Sequence, residues 1–278
     1  MTDYCYVNGE LLPLTEGSVP VTDRAYLYGE GLFETMSVRA GQVRLLSAHL
    51  ARITKSAAAF GFTVPGSSLL REAVSAVVAK NALDSGALRL TLSPRAGLGV
   101  FAAKDSLINV TVTARRGSSY TAMQYEQGLV AVIARSTRRN EHSPLCSHKT
   151  TGFGDNLLAK QEARSRGADE AILQNTAGNL AEGAITNLFL VSGGVVLTPR
   201  LTDGALPGIM RSQVMRVCDS LGLAVSETTL QPNHLFSADE AFVTNALMQI
   251  MPLCRVEDHH FGSYRPVTAR LTDALRTE

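Results

Sequence analysis

The residue types best suited to chemistry in this chain are those of Lys149 and Glu182, each of which lies in a distinctive local frame. Lys149 lies in Ser-His-Lys-Thr-Thr, residues 147–151, just before a helix-like segment. Glu182 lies in Leu-Ala-Glu-Gly-Ala-Ile-Thr-Asn-Leu-Phe, residues 180–189. A lysine amine condenses with an aldehyde, and a carboxylate can keep a pyridine nitrogen protonated. The two frames together therefore indicate pyridoxal phosphate chemistry, whereas either residue alone would more often be a surface charge or the end of a strand.

Length and composition narrow the class of protein. The 278 residues predict roughly two domains, and a hydrophobic content of 45% is enough for a sizeable core. The net charge of +1 provides no electrostatic footprint for nucleic acid. The short basic run at residues 135–139 is interpreted as a solvated loop rather than a phosphate-backbone site. We therefore expect a small molecule, and no nucleic acid, as the partner.

The cysteines and the N-terminal residues bear on metal binding and location. The chain has four cysteines, and no two of them lie at the spacing of metal ligands, so no metal site is predicted. Cys146, three residues before Lys149, is interpreted as a packed thiol rather than a nucleophile. No signal peptide and no run of 18 apolar residues is visible, so we expect a cytoplasmic protein without a membrane helix.

The elements that must position these residues follow from periodicity. In the first half, the turn Asn8-Gly9 predicts a hairpin, and strands are expected at 35–38, 87–92 and 107–113. Apolar residues at helical spacing predict a helix over 46–60, and a second helix is expected over 67–81. His49 and Arg52 fall at the edge of the first helix's apolar stripe, from which an arginine can reach a ligand, although periodicity alone equally allows an ordinary surface arginine.

The second half is richer in short strands with tight turns. They are expected at 129–134, 170–174, 185–191, 195–198, 225–230 and 241–244, with helices over 156–166 and 208–221. Such a series is typical of an antiparallel meander. The polar stretch 115–119 is interpreted as the linker between a small N-terminal domain, residues 1–117, and a larger cofactor-binding C-terminal domain, residues 118–278.

The chain resembles the class IV aminotransferases, the fold-type IV family of pyridoxal phosphate enzymes. Five motifs carry the resemblance, and they occur in the family's order over nearly the whole chain: 23–35, 46–56, the segment around Lys149, 182–187 and 206–211. Together they are far more specific than any one of them.

The resemblance implies a fold, a cofactor and site residues. The fold is expected to be a two-domain α+β structure, with a small N-terminal α/β sandwich and a larger C-terminal β-barrel-like domain. Pyridoxal 5′-phosphate is expected in the cleft between the domains of a homodimer. Lys149 would be the Schiff-base lysine and the acid/base, and Glu182 would pair with the ring nitrogen. The cofactor-binding residues would further include Arg52, Ile209, Met210, Asn245 and Ala246.

The segment 244–253 is similar to the Asn-Ala-Leu-Met-x-x-Met-Pro pattern of 4-amino-4-deoxychorismate lyases. This predicts a lyase that forms 4-aminobenzoate and pyruvate for folate biosynthesis. Arg95, in the loop 93–99, and Tyr28 are the candidate substrate-binding residues. That loop departs from the Ser-Arg-Gly-rich loop of the lyases, which leaves a D-amino acid or branched-chain aminotransferase as the alternative.

Two readings from other classes are weaker. A binding protein that has lost catalysis is disfavoured by the intact Lys149. A Rossmann-type reductase fails because no third glycine follows Gly29 and Gly31 at dinucleotide-binding spacing.

Overall fold

The protein is described by a computed structural model that covers residues 3–95 and 107–276. Its contacts divide the chain into two compact units. The first contains Met1–Ser118 and His148–Phe153, and the second contains Ser119–Ser147 and Gly154–Glu278. The segment that carries Lys149 is thus grouped with the first unit, although the sequence placed it in the C-terminal domain. Among the described residues, no helix combines the length and apolar character needed to cross a membrane.

The first unit is built on a six-stranded antiparallel sheet in the order β2-β1-β6-β5-β3-β4. Its strands are β1 (Tyr4–Val7), β2 (Glu10–Pro13), β3 (Leu32–Arg39), β4 (Gln42–Val43), β5 (Gly86–Pro94) and β6 (Ile108–Arg116). Its helices are α1 (Arg24–Tyr28), α2 (Leu46–Ala59) and α3 (Ser67–Lys80).

Local sequence explains these elements. The β1–β2 hairpin turns at Asn8 and Gly9, whose φ angles of 52° and 110° lie in the left-handed region that these residue types tolerate. The apolar stripe of α2, which includes Leu50 and Ile53, packs with Met36 of β3 in one hydrophobic core. The predicted helices 46–60 and 67–81 are confirmed to within one residue. The expected linker is partly wrong, because residues 115 and 116 are the last of β6, where they pair with β5.

The segment 148–153 lies against the start of β3. The Phe33 N–H donates to the Lys149 carbonyl at 3.0 Å, and the Thr151 N–H donates to the Gly31 carbonyl at 2.8 Å. A β-carbon on Gly31 would come within 2.8 Å of the Thr151 hydroxyl oxygen, so only glycine permits this approach. The backbone of Lys149 is therefore fixed by hydrogen bonds to the first sheet.

The second unit is built on a nine-stranded sheet in the order β12-β11-β10-β13-β14-β7-β8-β9, with β15 paired to β14. Its strands are β7 (Leu129–Ile133), β8 (Glu170–Gln174), β9 (Leu180–Gly183), β10 (Asn187–Ser192), β11 (Val195–Pro199), β12 (Val225–Thr228), β13 (Glu240–Asn245), β14 (Gln249–Val256) and β15 (His259–His260). Its helices are α4 (Ala122–Gln127), α5 (Gly154–Ser165), α6 (Ile209–Ser220), α7 (Pro232–Phe236) and α8 (Pro266–Arg276).

This sheet is mixed, so the expected antiparallel meander is wrong. β7 runs parallel to both β8 and β14, and β11 runs parallel to β12. Parallel neighbours need a crossover connection, and α5 lies between β7 and β8 in the chain as α6 lies between β11 and β12. The α+β class predicted from the sequence is confirmed, since each unit combines one sheet with helices.

Candidate active site

Lys149 lies against two aromatic rings of the first unit. Its Nζ is 4.4 Å from the Phe33 ring centroid and 5.6 Å from that of Phe153, and the two rings meet edge to face. The preceding residue, His148, lies 3.0 Å from the Ser56 hydroxyl through Nδ1 and packs edge-on against Phe60. Because Ser56 belongs to α2, the lysine segment is held by both the first sheet and its helix.

Arg89 occupies the same face of the sheet as Phe33. Thr35 pairs with Arg89 across β3 and β5, so Phe33 is the diagonal neighbour of Arg89. The guanidinium carbon of Arg89 lies 3.7 Å from the Phe33 ring centroid, and the same ring contacts the Lys149 amine. Arg89 was not among the residues predicted from the sequence, although it is the one charged residue of the strand predicted at 87–92.

Arg52 is held from the opposite face of β3. Its Nε donates to Glu34 Oε1 at 2.7 Å and its Nη2 donates to Glu34 Oε2 at 2.6 Å. His49 Nδ1 lies 2.7 Å from Glu34 Oε2, and both His49 and Glu34 are only 1% exposed. His49 is therefore buried against Glu34.

Glu182 is fixed within the second unit, where it is 5% exposed. Its Oε1 lies 3.0 Å from Arg139 Nε, and its Oε2 accepts the Leu206 backbone N–H at 2.9 Å. Arg139 also donates through Nε to the Gly204 carbonyl at 3.2 Å. Arg139 is the last residue of the basic run that was expected to be a solvated loop, and this expectation is wrong for Arg139.

The N-terminus of α6 has the features of an anion site. Its N-cap residue is Gly208, which has no side chain that could accept hydrogen bonds from the first backbone N–H groups of the helix. A β-carbon on Gly208 would come within 1.8 Å of Asn187 Oδ1, which excludes any other residue there. Ile209 and Met210 are buried and supply the first backbone N–H groups of the helix.

Asn245 and Ala246 lie at the turn between β13 and β14. Asn245 Oδ1 accepts the backbone N–H groups of Leu247 and Met248, each at 2.9 Å, which forms an Asx-type turn. The Tyr125 hydroxyl donates to the Met248 carbonyl at 3.1 Å. The turn is therefore fixed from both sides, with Met248 buried and Leu247 half-buried.

The two substrate candidates, Tyr28 and Arg95, both belong to the first unit. Tyr28, 49% exposed, is in α1, with the Arg24 guanidinium 4.8 Å from its ring centroid. The Arg95 backbone N–H extends the strand pairing by donating to the Leu107 carbonyl at 2.7 Å. Residues 96–99 of the predicted substrate loop lie outside the described residues.

Cys146 is a packed thiol, as interpreted from the sequence. It is 6% exposed, and its Sγ donates to the Asn140 carbonyl at 2.8 Å. Burial raises the pKa of the Cys146 thiol despite the nearby Arg139 charge, so the reactive thiolate is disfavoured.

These groups fit a cofactor with an aldehyde, a basic ring nitrogen and a phosphate. The first unit contains an amine against aromatic rings and an oriented guanidinium. The second unit contains a buried carboxylate with fixed donors and a helix N-terminus where Asn187 leaves no room for a side chain on the N-cap. Among the described residues, no group of three or more potential ligands could hold a metal ion.

The fold and these groups define a chain of the fold-type IV class of pyridoxal phosphate enzymes. The model of the family "Amino-transferase class IV" matches residues 31–256, so the chain belongs to the class IV aminotransferase family. Family membership, predicted from five motifs, is confirmed. Members of this family use pyridoxal 5′-phosphate, which confirms the predicted cofactor.

Relatives within the family include both activities considered from the sequence. The branched-chain-amino-acid aminotransferase of Escherichia coli (strain K12) is 32% identical over 98% of this chain and 92% of its own length. A crystal structure of the Escherichia coli branched-chain aminotransferase matches with a TM-score of 0.94 and 31% identity, over 100% of this chain and 94% of that one. The 4-amino-4-deoxychorismate lyase structure from Pseudomonas aeruginosa matches with a TM-score of 0.90 and 27% identity, over 99% and 98% of the two chains.

Proposed function

We propose that this chain converts 4-amino-4-deoxychorismate to 4-aminobenzoate and pyruvate for folate biosynthesis. The turn after β13 carries this proposal, because Asn245 organises it and its next residues are aliphatic, as in the lyase pattern. The similarity to the Pseudomonas aeruginosa lyase over 98% of that chain supports it. We also propose a cytoplasmic location, because all four cysteines carry free thiols, as is usual in reducing compartments.

We propose that Lys149 holds the cofactor covalently and moves the proton. The bound cofactor supplies an electron-withdrawing ring that stabilises negative charge on the adjacent carbon of the substrate. Once the substrate's amino group has taken its place on the cofactor, the freed Lys149 amine would remove the proton from the ring carbon that bears this amino group. The bond between the neighbouring ring carbon and the ether oxygen then breaks, and the enol of pyruvate leaves and takes up a proton. The amino group stays on the aromatic product, so no second substrate is needed.

The remaining residues bind and orient. Glu182 would keep the proton at the cofactor's ring nitrogen, and Arg139 and the Leu206 N–H hold its carboxylate in place for that task. Arg52, the N–H groups of Ile209 and Met210, and the Asn245–Ala246 turn would bind the phosphate.

Arg89 is our candidate for a substrate carboxylate, because its guanidinium packs on the same ring as the Lys149 amine. Arg95 and Tyr28 stay predictions as substrate-binding residues.

A turnover experiment without any 2-oxo acid tests the reaction. The purified holoenzyme is given 4-amino-4-deoxychorismate, and 4-aminobenzoate and pyruvate are measured over many turnovers. Equal and continuing formation of both products is expected. Absence of turnover, together with steady transamination of leucine or D-alanine with 2-oxoglutarate, would contradict the lyase proposal.

An aminotransferase for branched-chain or D-amino acids is the second candidate. The observation that favours it is the 32% identity to the Escherichia coli branched-chain enzyme over nearly the whole chain. This reaction leaves the amino group on the cofactor, so it requires a 2-oxo acid for each further turnover. Lys149, Glu182 and the phosphate-binding residues would have the same tasks in both reactions.

Borohydride reduction tests the assignment of Lys149 independently of the substrate. Reduction of the holoenzyme followed by peptide mapping should place the cofactor on the peptide with Lys149. Lys160 is the matched control, because its ammonium lies 3.5 Å from the buried Glu170 carboxylate and is already engaged. A label on Lys160 or Lys55 would refute the assignment.

We also propose that the enzyme is a homodimer. The first unit exposes several large apolar side chains in one stretch of the chain: Leu14 (43%), Val19 (43%), Val21 (77%), Tyr26 (73%) and Leu27 (37%). A second copy that covers them would remove this apolar surface from water. Light scattering after gel filtration should give the mass of two chains, and a monomer mass at micromolar concentration would contradict the proposal.

A further inference from the structure

Two consecutive residues of β3 face opposite sides of the first sheet. Phe33 faces the Lys149 amine and the Arg89 guanidinium, and Glu34 faces His49 and Arg52 of α2. This division follows from the alternation of side chains along a strand. Glu34 is only 1% exposed, and burying a charged carboxylate costs free energy unless the charge is compensated. The partners of Glu34 therefore indicate its role.

The contacts of Glu34 are directional. The Nε and Nη2 groups of Arg52 form a two-pronged pair with both carboxylate oxygens, at 2.7 and 2.6 Å. This is the fork geometry in which arginine binds carboxylates most specifically. The edge of the planar guanidinium that carries Nε and Nη2 therefore binds Glu34. Because the group is planar, these two bonds also fix the direction in which Nη1 points.

His49 fixes the carboxylate in turn. Its Nδ1 lies 2.7 Å from Glu34 Oε2, the same oxygen that accepts from Arg52 Nη2. His49 and Arg52 are three residues apart on α2, so they lie on one face of the helix and converge on one carboxylate. Burial alone would raise the pKa of the Glu34 carboxyl, but the hydrogen bonds and charges of His49 and Arg52 lower it below its ordinary value.

We propose that Glu34, supported by His49, is a positioning residue that orients the Arg52 guanidinium for the cofactor's phosphate. The proposal rests on the proposed function in one respect, namely that Arg52 binds that phosphate. An arginine side chain has many rotamers, and ordering it only upon binding would reduce the affinity gained from its hydrogen bonds. Glu34 removes this loss by ordering Arg52 in advance.

The test compares two ligands that differ only in the phosphate. Dissociation constants of pyridoxal 5′-phosphate and of pyridoxal are measured by absorbance titration of the apoenzyme of wild type and variants. Glu34→Gln should weaken pyridoxal 5′-phosphate binding roughly tenfold, on the order of what loss of an orienting partner costs at metal sites. Pyridoxal binding should stay within about twofold, because the affected interaction involves only the phosphate.

The controls separate positioning from general damage. Asp23→Asn removes another buried carboxylate of the first unit, one that accepts from Ser93 and from Asn109 Nδ2, the latter at 2.6 Å. It should leave the ratio of the two dissociation constants unchanged. Glu34→Asp keeps the charge and should recover part of the lost affinity.

Each outcome has one meaning. Equal weakening of both ligands in Glu34→Gln would show a merely structural role and overturn the proposal. A normal ratio in Glu34→Gln with a collapsed ratio in Arg52→Gln would also overturn it, while leaving Arg52 as the phosphate ligand. A normal ratio in Arg52→Gln would instead refute the phosphate assignment of the proposed function. In the Arg52→Gln background, Glu34→Gln should change the ratio no further.

Discussion

Each unit of the molecule contains a buried glutamate paired with an arginine, but the two pairs work in opposite directions. In the first unit Glu34 orients Arg52, and in the second unit Arg139 orients Glu182. Exposure does not distinguish them, because Arg52 and Arg139 are both 15% exposed along the side chain and their partners are nearly buried. Their further contacts do: both glutamates have another partner, His49 for Glu34 and the Leu206 N–H for Glu182, and in the second pair the arginine is also anchored, because Arg139 donates to the Gly204 carbonyl. An ion pair's role must therefore be inferred from what anchors each partner.

The largest expected effect is that of Glu182→Gln. The amide cannot hold the ring nitrogen protonated, so activity should fall at least about 100-fold, the range of acid–base contributions, while cofactor binding is kept. Steady-state rates and bound cofactor are the measurements. Glu170→Gln is the matched control, since Glu170 is also a buried glutamate of the second unit, burial raises the pKa of its carboxyl, and its partner is Lys160 rather than the cofactor. Near-normal activity of Glu182→Gln would make Glu182 a structural residue.

A smaller effect is expected when the orienting partner in the second unit is changed. Arg139→Lys keeps the charge but loses the planar donor geometry, so kcat should fall about tenfold with little change in cofactor affinity. Arg138→Lys provides the comparison, because Arg138 lies in the same basic run, donates to the backbone carbonyl of Ala134 and has no assigned task at Glu182. If both variants behave alike, the proposed direction of the Arg139–Glu182 pair is wrong.

His49→Gln tests the third contact of the first pair. Glutamine offers an N–H donor but lacks the fixed geometry of the ring, so its hydrogen bond to Glu34 should be weaker and the affinity for pyridoxal 5′-phosphate should fall about threefold, at the low end of what one hydrogen bond contributes. Pyridoxal affinity should be unaffected. A loss as large as that of Glu34→Gln would mean that His49, rather than the carboxylate, determines the orientation of Arg52.

The last prediction concerns a carboxylate outside both pairs, and it affects the stability of the fold rather than activity or cofactor affinity. Burial raises the pKa of Glu162, but the N–H groups of Ser136 and Arg135 and the Arg166 side chain lower it to about 2 from an ordinary 4.5. Its stabilisation is therefore present above about pH 4.5 and is lost as the pH falls towards 2. After allowance for solvent screening it is worth about 1–2 kcal/mol.

Urea unfolding midpoints of wild type and Glu162→Gln, measured between pH 7 and pH 3, check this. The difference between the two proteins should shrink as the solution becomes more acidic. Glu126→Gln, at an exposed position of α4, is the control and should match wild type throughout. A difference that stays constant with pH would contradict the electrostatic explanation.

The sequence predicted the local elements and the family well, for physical reasons. Helix α2 has its apolar stripe within one continuous segment, and the β1–β2 turn needs only Asn8 and Gly9. The candidate residues Lys149 and Glu182 stand in local motifs that require no knowledge of contacts. Signals of this kind are complete within about a dozen residues, so they can be recognised without a structure.

The partners of those residues could not be predicted in the same way. Arg139 is one of several arginines in a basic run, and only the fold selects it as the partner of Glu182. The parallel pairing of β7 with β8 likewise depends on the crossover through α5 rather than on the strands' own composition. Glu34 lies in the motif at 23–35, but its role depends on how α2 packs against β3, which the sequence does not reveal.

Because residues 148–153 pair with β3, the first unit is completed only by a segment that the ribosome adds after the start of the second unit. A ribosome that has completed Ser118 has made Phe33 and Arg89 but not the amine that lies against Phe33. The bridge from Leu32 to Thr150 forms only after about thirty further residues have been added. A gene truncated after Ser118 would therefore encode a first unit that lacks the lysine segment. Recombination between relatives would likewise have to transfer residues 148–153 together with β3, the strand that supports them.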